Sequence, residues 1–340
     1  MYLLQLITEA QQAIKQKQHV AALFLDLQKA FDMVQHNAML TRLANIGVGG
    51  DLYQEVNAFL TTQEVKVNDY TRPDELCSRG LPQGSVLSPL LFILFIRDML
   101  LEIEGMGLQF ADDCTILMYK PTSAELQHTI ESNCSLLNGW MQKWKLKINC
   151  SKTEIVVFNG KINSPTIGTE KIKICDSSKS LGVIVDKKLS FANHSAHCAR
   201  TLNAKMNMLK PFIYNGLHCP SALRILTQVM LPKALYAISV WNLKDCISLH
   251  KHLQNITGAH YNPSPDCLHK LSGVLPLKLM MTRERLQTVR NLMSAGLTRI
   301  ITSPQKSALA KIFLADCRKL IPRSTKLEDC APIALSQKKH

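Results

Sequence analysis

The chain has 340 residues, 46% of them hydrophobic, which is enough for two or three compact units with substantial cores. No apolar run approaches the roughly 20 residues that a bilayer-spanning helix needs, and the N-terminus does not have the pattern of a signal peptide, so we expect an intracellular protein of the nucleus or cytoplasm. The net charge of +14 is uneven: residues 187–340 hold 23 Lys and Arg against 6 Asp and Glu, whereas residues 1–186 hold 17 against 20.

The first 36 residues predict a helix, a buried strand and a turn. Residues 1–18 repeat apolar side chains at helical spacing. The stretch of residues 20–27 contains a nearly continuous apolar run that Asp26 closes, which is typical of a central strand. A carboxylate there is unfavourable unless it is paired or bound to a metal, although capping of the next helix is an alternative. For Asp32 we favour a local hydrogen bond over metal ligation.

The next stretch predicts helices around a glycine-rich loop. A helix of about ten residues follows His36 and ends at Gly47, and residues 51–60 are also helical. Residues 64–68 and 75–78 predict a hairpin that turns at Pro73-Asp74. The loop of residues 80–85 then leads to a buried helix, for which Ser88 is the predicted cap and Pro89 the first residue.

Two adjacent carboxylates, Asp112 and Asp113, lie between apolar runs that predict a β-hairpin with the acidic pair at its turn. Two like charges this close are unfavourable without a counter-charge, and Mg²⁺ suits oxygen ligands. A solvated acidic turn is the alternative interpretation.

The remaining chain predicts more sheet and then helices. Ser123 is the predicted cap of a long amphipathic helix, residues 153–158 form a strand, and residues 172–175 pair with 181–185 in a hairpin. Helices are predicted at 196–210, 220–238 and 244–257, and, with loops, over 276–340; Pro263-Ser264-Pro265 marks a boundary.

Histidine and cysteine do not predict a metal centre. The 11 cysteines are odd in number, scattered and without a Cys-x-x-Cys pair, which supports neither a disulfide framework nor a zinc knuckle. His194, His197 and Cys198 lie close together, but no second ligand cluster accompanies them.

Three stretches in this order resemble the palm of a reverse transcriptase, in particular that of LINE-type (non-LTR) retrotransposons. They are FLDLQKAFD at 24–32, GLPQGSVLSPLLF at 80–92 and FADD at 110–113. Residues 144–158 resemble the next palm motif of that family. Residues 180–189, with Leu181 and Gly182, resemble its primer-grip hairpin. The resemblance covers roughly residues 1–260.

The resemblance implies an α+β fold, in which a mixed, mainly antiparallel palm sheet with helices on one face precedes a helical thumb. The implied divisions are 1–190 for the palm, 191–260 for the thumb and 261–340 for a basic helical C-terminal region. Residues 187–260 hold nine Lys and Arg against the single acid Asp245, which suits a thumb that contacts nucleic-acid phosphates. A merely soluble basic surface is the alternative.

The implied activity is RNA-directed DNA synthesis on an RNA template, from a DNA primer and deoxynucleoside triphosphates, with two Mg²⁺ ions or with Mn²⁺ in their place. Asp26, Asp112 and Asp113 are the implied catalytic ligands, and the backbone carbonyl of Leu27 adds an oxygen. No membrane partner is implied.

Four further residues are implied to bind substrate. Phe31 lies under the sugar and excludes a 2′-hydroxyl, with an ordinary core Phe as the alternative. Gln83 and Gly84 contact the nucleotide near its sugar. Lys152 protonates pyrophosphate, with a plain surface lysine as the alternative.

The chain departs from the family in two respects. Gln35 replaces an expected acidic residue. Nothing matches the fingers subdomain that normally precedes the first aspartate motif, nor an endonuclease, so we expect an N-terminally truncated element that binds primer–template and extends it weakly. A catalytically inactive relic or a repurposed RNA-binding protein with the same fold is the alternative function.

Overall fold

The computed structural model describes residues 2–61, 65–67, 70–72, 78–241, 249–259 and 263–295. The described residues divide into two compact units. One unit contains Tyr2 and Ala13–Leu181; the other contains Leu3–Gln12 and the chain from Gly182 onward. The first helix, α1 (Tyr2–Lys15), therefore contributes residues to both units.

A five-stranded sheet organises the first unit, in the order β4-β5-β1-β6-β9. Its strands are β1 (His19–Leu25), β4 (Met106–Phe110), β5 (Asp113–Lys120), β6 (Glu154–Asn159) and β9 (Lys173–Cys175). The central strand β1 is antiparallel to both β5 and β6, whereas β9 is parallel to β6. Six of the seven residues of β1 are buried, which explains why this strand reads as a continuous apolar run.

The two faces of this sheet have different roles. Leu23 of β1 pairs with Ile116 of β5 and Ile155 of β6, and all three belong to the hydrophobic core of the unit. Side chains alternate between the faces of a strand, so residues one step along β1 face away from this core. That second face carries Phe24 and, immediately after the strand, Asp26.

Four helices accompany the sheet: α2 (His36–Asn45), α3 (Gly50–Thr61), α4 (Leu87–Ile96) and α5 (Ser123–Trp144). Arg42 of α2 is almost fully buried, forms a 2.8 Å ion pair with Asp98, and stacks its guanidinium 3.8 Å from the centre of the Trp144 ring. The pair ties α2 to the end of α4, and the stacking ties α2 to α5.

Two predicted helix caps are wrong. Ser88 lies inside α4 and its hydroxyl donates to the carbonyl of Pro82 (2.6 Å), while Ser85 Oγ accepts from the N–H of Leu87. Likewise, α5 is capped by Thr122, whose hydroxyl accepts from the N–H of Glu125. In each case a neighbouring hydroxyl has the geometry that capping needs.

The predicted hairpin of residues 172–175 with 181–185 is also wrong, because β9 forms the parallel edge of the main sheet beside β6. The part of the earlier predicted hairpin at 73–77 lies outside the described residues, and the strand at 65–67 pairs with 70–72. The remaining short strands are β2 (Val65–Val67), β3 (Tyr70–Arg72), β7 (Thr166–Ile167), β8 (Glu170–Lys171), β10 (Ser177–Ser180) and β11 (Val183–Asp186).

From residue 192 on, the described residues of the second unit are mainly helical, in agreement with the predicted pattern; the predicted helical region at 296–340 lies outside the described residues. Its helices are α6 (Ala192–Tyr214), α7 (Cys219–Arg224), a π-helical segment (Ile225–Met230), α8 (Leu231–Ala234), α9 (Leu249–Thr257), α10 (Pro265–Ser272) and α11 (Leu277–Ser294). Arg285 of α11 is buried and donates to the carbonyls of Ile238 and Trp241. Helix α10 begins at Pro265, within the predicted boundary, and Ser264 caps it by accepting from the N–H of Cys267. The three-part division of the chain stays a prediction.

None of the described helices combines the length and the apolar character that crossing a membrane would require.

Candidate active site

Asp26 is the first residue after the central strand, and the backbone on both its sides is fixed by residues 147–153. Its N–H donates to the hydroxyl of Thr153 (3.2 Å), and its carbonyl accepts from the N–H of Asn149 (2.8 Å). Thr153 is completely buried. The end of β1 therefore determines where Asp26 lies along the sheet, and the hydrogen bonds to residues 149 and 153 fix the conformation of its backbone.

Asp112 lies in the turn of the β4–β5 hairpin and Asp113 directly follows it as the first residue of β5, so the acidic pair is at the turn as the sequence predicts. Phe110 pairs with Asp113, and Ala111 adopts a left-handed conformation with φ of 53°. The register of β1 with β5 runs to Leu25 opposite Cys114, so the next step places Asp26 opposite Asp113. Directly opposed residues of antiparallel strands have Cβ atoms about 4.5–5.5 Å apart.

The Leu27 carbonyl accepts neither of the two hydrogen bonds that form the β-bridge between Leu27 and Ile148. The hydrogen bonds of that bridge run from Gln28 N–H to Lys147 O (2.9 Å) and from Asn149 N–H to Asp26 O. In this antiparallel arrangement the backbone groups of Leu27 point to the opposite side. Its role as a metal ligand stays a prediction that this orientation permits.

A cavity of about 310 Å³ lies on the face of the sheet that carries Asp26. Asp26, Asp113 and Lys152 all line it, so the structure brings together three of the predicted site residues. Its walls add polar residues that the sequence analysis did not select: Tyr2, Thr115, Ser151, Glu154, Ser178, Lys179 and Ser180.

The electrostatics of the cavity favour a cation. Partial burial raises the pKa of the Asp113 carboxyl above its ordinary value, and the charges of Asp112 and Asp26 raise it further. A hydrogen bond from the backbone of Leu181 opposes this rise. Like charges that raise one another's pKa are stabilised by a bound cation.

A divalent ion fits this donor set by its chemistry, although the protein side chains do not form a closed cage. Within the described part of the chain, no three His, Cys, Asp or Glu side chains are grouped closely enough to hold a metal by themselves. Mg²⁺ is commonly held by one or two carboxylates together with water and substrate phosphates, and the opposed Asp26 and Asp113 match that pattern.

The predicted nucleotide-contacting residues lie together in a second group, outside the residues that line the cavity. The Phe31 ring stacks on Phe92 of α4 with 4.6 Å between ring centres. Gln83 is exposed, and its amide donates to Asp32 Oδ1 (3.1 Å), which is the local hydrogen-bonding role expected of Asp32. Gly84 has a φ of 91°, a backbone conformation that favours glycine.

The predicted primer-grip residues occupy a turn with unusual backbone angles. Leu181 has a φ of 44° and Gly182 a φ of 80°. The Leu181 backbone bonds to the Asp113 carboxyl, so this turn touches one of the predicted catalytic aspartates.

His194 and Cys198 serve the packing of the second unit. The Nδ1 atom of His194 accepts from the N–H of Ile184 (3.3 Å), and its Nε2 lies 3.6 Å from the Cys198 sulfur. His197 is exposed on α6.

Sequence reasoning missed Thr153 and Glu154. Glu154 pairs with Phe24 and therefore shares the cavity face of the sheet. The alternation of β6 carries this signal, but only once its register with β1 is known.

The comparisons with known proteins agree with the motifs. A family model described as reverse transcriptase (RNA-dependent DNA polymerase) matches residues 2–185, which include every predicted site residue. The chain belongs to the reverse transcriptase family.

Relatives of this reverse transcriptase domain come from mobile elements, in agreement with the predicted LINE-type (non-LTR) affiliation. The RNA-directed DNA polymerase from mobile element jockey of Drosophila funebris is 30% identical over 258 residues, which are 71% of this chain and 28% of that protein. The jockey polymerase of Drosophila melanogaster is 25% identical over 338 residues, or 93% of this chain and 36% of that protein. The chain thus spans about a third of the length of these relatives.

Among solved structures, apo telomerase from Candida tropicalis, truncated from the C-terminal domain, aligns with 54% of this chain and 38% of its own. The TM-score of that alignment is 0.38 and the sequence identity 14%.

Proposed function

We propose that this reverse transcriptase domain adds deoxynucleotides to the 3′-hydroxyl of a primer paired with an RNA template, by a two-metal mechanism. The observation that carries the proposal is that Asp26 and Asp113, at the end of the β1–β5 pairing, line one cavity together with Lys152. Paired carboxylates beside a cation suit phosphoryl transfer, in which positioning and charge stabilisation account for most of the catalysis.

Each predicted catalytic residue in or beside the cavity has a distinct part. Asp26, Asp112 and Asp113, with the Leu27 carbonyl, hold the divalent ions. Mg²⁺, or Mn²⁺ in its place, lowers the pKa of the attacking hydroxyl and neutralises the phosphate charge when bound. Lys152 delivers a proton to the leaving pyrophosphate from the rim of the same cavity, where its side chain is exposed.

The sugar of the incoming nucleotide lies against the second group of residues. The stacking of Phe31 on Phe92 holds the ring in one place, as exclusion of a 2′-hydroxyl requires. Gln83 and Gly84 contact the same nucleotide. Leu181 and Gly182 position the primer end, because their turn is bonded to Asp113.

The second unit binds the phosphate backbones of the template and primer. Its described residues between 187 and 259 include eight Lys and Arg and no Asp or Glu. Exposed cations lie on four of its helices and in the turn that precedes them: Arg200, Arg224, Lys233 and Lys251 on the helices, and Lys188 in the turn. Binding of this kind depends steeply on salt and weakly on sequence.

The alternative function is RNA binding without catalysis. The observation in its favour is that the described carboxylates do not form a three-ligand metal cluster on their own. Under this alternative the second unit still binds nucleic acid, while nucleotide addition is absent.

Primer extension on an RNA template separates the two functions. We expect Asp112→Asn to reduce extension by at least about a hundredfold, as removal of a group that stabilises the transition state does. Asp51→Asn, which changes an exposed carboxylate at the start of α3, is the matched control. Extension that is absent from both proteins while a gel shift persists would support the RNA-binding alternative, whereas equal, measurable extension in both would contradict the proposed role of Asp112.

A gel shift over a salt series tests the second unit. If about six phosphates are contacted, affinity falls by about a thousandfold between about 50 and 200 mM salt. An affinity that does not change with salt concentration would contradict the proposed role of the basic helices.

A further inference from the structure

The segment 31–36 and the loop 78–83 are joined by a short ladder of backbone hydrogen bonds. Leu81 N–H donates to Phe31 O (3.0 Å), Gly80 N–H donates to Val34 O (2.7 Å), and His36 N–H donates to Ser78 O (3.0 Å). The predicted sugar-contacting ring and the start of the glycine-rich loop are consequently parts of one body.

Two side chains hold the first part of this loop by hydrogen bonds to its backbone carbonyls. The buried His36 ring bonds through Nε2 to the carbonyl of Gly80 (2.8 Å), and the buried Ser88 hydroxyl donates to the carbonyl of Pro82 (2.6 Å). Between these anchors lie Gln83 and Gly84, both exposed. A Cβ on Gly84 would meet no atom within 4 Å, so the space beside this residue is open.

The Gln83 side chain is held instead by Asp32, at 3.1 Å between Nε2 and Oδ1. An ionised carboxylate only accepts hydrogen bonds, so the amide nitrogen of Gln83 must face Asp32. This assigns the orientation of the amide by chemistry, and it directs the amide oxygen Oε1 away from Asp32.

We propose that Asp32 is a positioning residue, which orients the Gln83 amide so that its oxygen faces the incoming nucleotide. The inference rests on the proposed function for the identity of the ligand, whereas the contact itself does not. Asp32 lies in the ladder that also carries Phe31, so one segment sets the placement of both groups that face the sugar.

The location of Asp32 argues against a metal-binding role. Asp32 is not among the residues that line the cavity of Asp26 and Asp113, and its side chain is exposed. What Asp32 offers Gln83 is an acceptor oxygen, and an asparagine at this position would offer the same oxygen without the charge.

The test uses four variants of the full chain: Asp32→Ala, Asp32→Asn, Gln83→Ala and the double variant Asp32→Ala/Gln83→Ala. Glu102→Ala, which removes another exposed carboxylate of the same unit, is the control for lost charge. Primer extension gives KM for the deoxynucleotide and kcat, and amide hydrogen exchange of residues 78–88 reports the loop without any need for activity.

We expect Asp32→Ala to raise KM by about three- to tenfold, the factor that loss of one hydrogen bond produces, and to leave kcat within about twofold. Exchange at residues 83–86 accelerates by a similar factor. We expect Asp32→Asn to have the KM and the exchange rates of the wild-type chain. The double variant is no worse than Gln83→Ala alone, because the two residues act as one unit.

Three results would overturn the proposal: exchange in Asp32→Ala that matches Glu102→Ala, additive effects in the double variant, or an Asp32→Asn variant as impaired as Asp32→Ala. The last would assign the role to charge. If the wild-type chain adds no nucleotide, the proposed function fails, while the exchange measurement still decides whether Asp32 holds Gln83.

Discussion

Replacement of Thr153 tests how the central aspartate is held. Thr153→Val keeps the shape of this fully buried side chain but removes the oxygen that accepts the N–H of Asp26 at 3.2 Å. A buried donor without a partner costs about 1–3 kcal/mol. For a unit of this size each kcal/mol lowers the melting temperature by about 2–4 °C, so we expect a fall of about 4–8 °C for a loss of 2 kcal/mol.

Thr153→Ser is the matched control, since it keeps the hydroxyl and loses one methyl group, which contributes about 1 kcal/mol when buried. The two variants therefore differ little in stability but much in the restraint on Asp26. Urea denaturation gives the free energy of unfolding, and primer extension below the melting temperature gives the activity.

We expect Thr153→Val to reduce extension by about tenfold or more and Thr153→Ser by less than about threefold, because a small displacement of a catalytic ligand has a large effect on rate. Equal activity losses in the two variants would refute the reasoning. So would a Thr153→Val protein as stable as wild type, because the hydrogen bond would then contribute nothing.

Three further predictions concern charge, backbone and packing. Because the pKa of Asp113 is higher in the folded state than its ordinary value of 3.8, the free energy of unfolding falls as the pH rises above 3.8. In a thermal-shift series without metal, we therefore expect Asp113→Asn to melt about 1–2 °C above wild type at pH 7 and at the same temperature as wild type below pH 3.8. Gly105→Ala should cost at least about 2 kcal/mol in urea denaturation, since Gly105 has a φ of 119° and a Cβ would lie 2.6 Å from the Leu117 carbonyl oxygen. Arg42→Ala should lower the free energy of unfolding by about 3–5 kcal/mol. Arg42→Met should lower it clearly less, because methionine fills the space among the aromatic rings and the partly exposed Asp98 stays solvated. Equal decreases in the two variants would show that the charge of Arg42 dominates.

Local signals in the sequence predicted most elements of the first unit. The apolar run before Asp26 is the central strand, and Asp112 and Asp113 do lie at a hairpin turn, in the turn and directly after it. These predictions succeed because the burial pattern of a strand and the position of a turn both depend on residues that are consecutive in the sequence. The helix after His36 ends where Gly47 supplies a φ of 88°, for the same reason.

Features that depend on distant partners could not be predicted in this way. The Ser88 hydroxyl resembles a cap, but the Pro82 carbonyl competes for it. The strand Lys173–Cys175 resembles half of a hairpin, but β6 offers an open edge that it joins in parallel. Local propensity does not weigh such competitors.

The candidate site shows the same division. Motif spacing selected Asp26, Asp113 and Lys152, and the structure places all three at one cavity. The support of Asp26 by Thr153 joins residues 127 positions apart, and that contact becomes visible only in the folded chain.

The position of β1 at the centre of the sheet has a consequence for synthesis of the protein on the ribosome. Its partners β5 and β6 begin at Asp113 and Glu154, so the most apolar strand is made long before either neighbour exists. At about 5–20 residues per second, both edges of β1 stay unpaired for roughly 5–20 seconds, until β5 has been made. Nascent chains that stop before β6 expose one of these edges, and they should be the species that chaperones bind and that aggregate first.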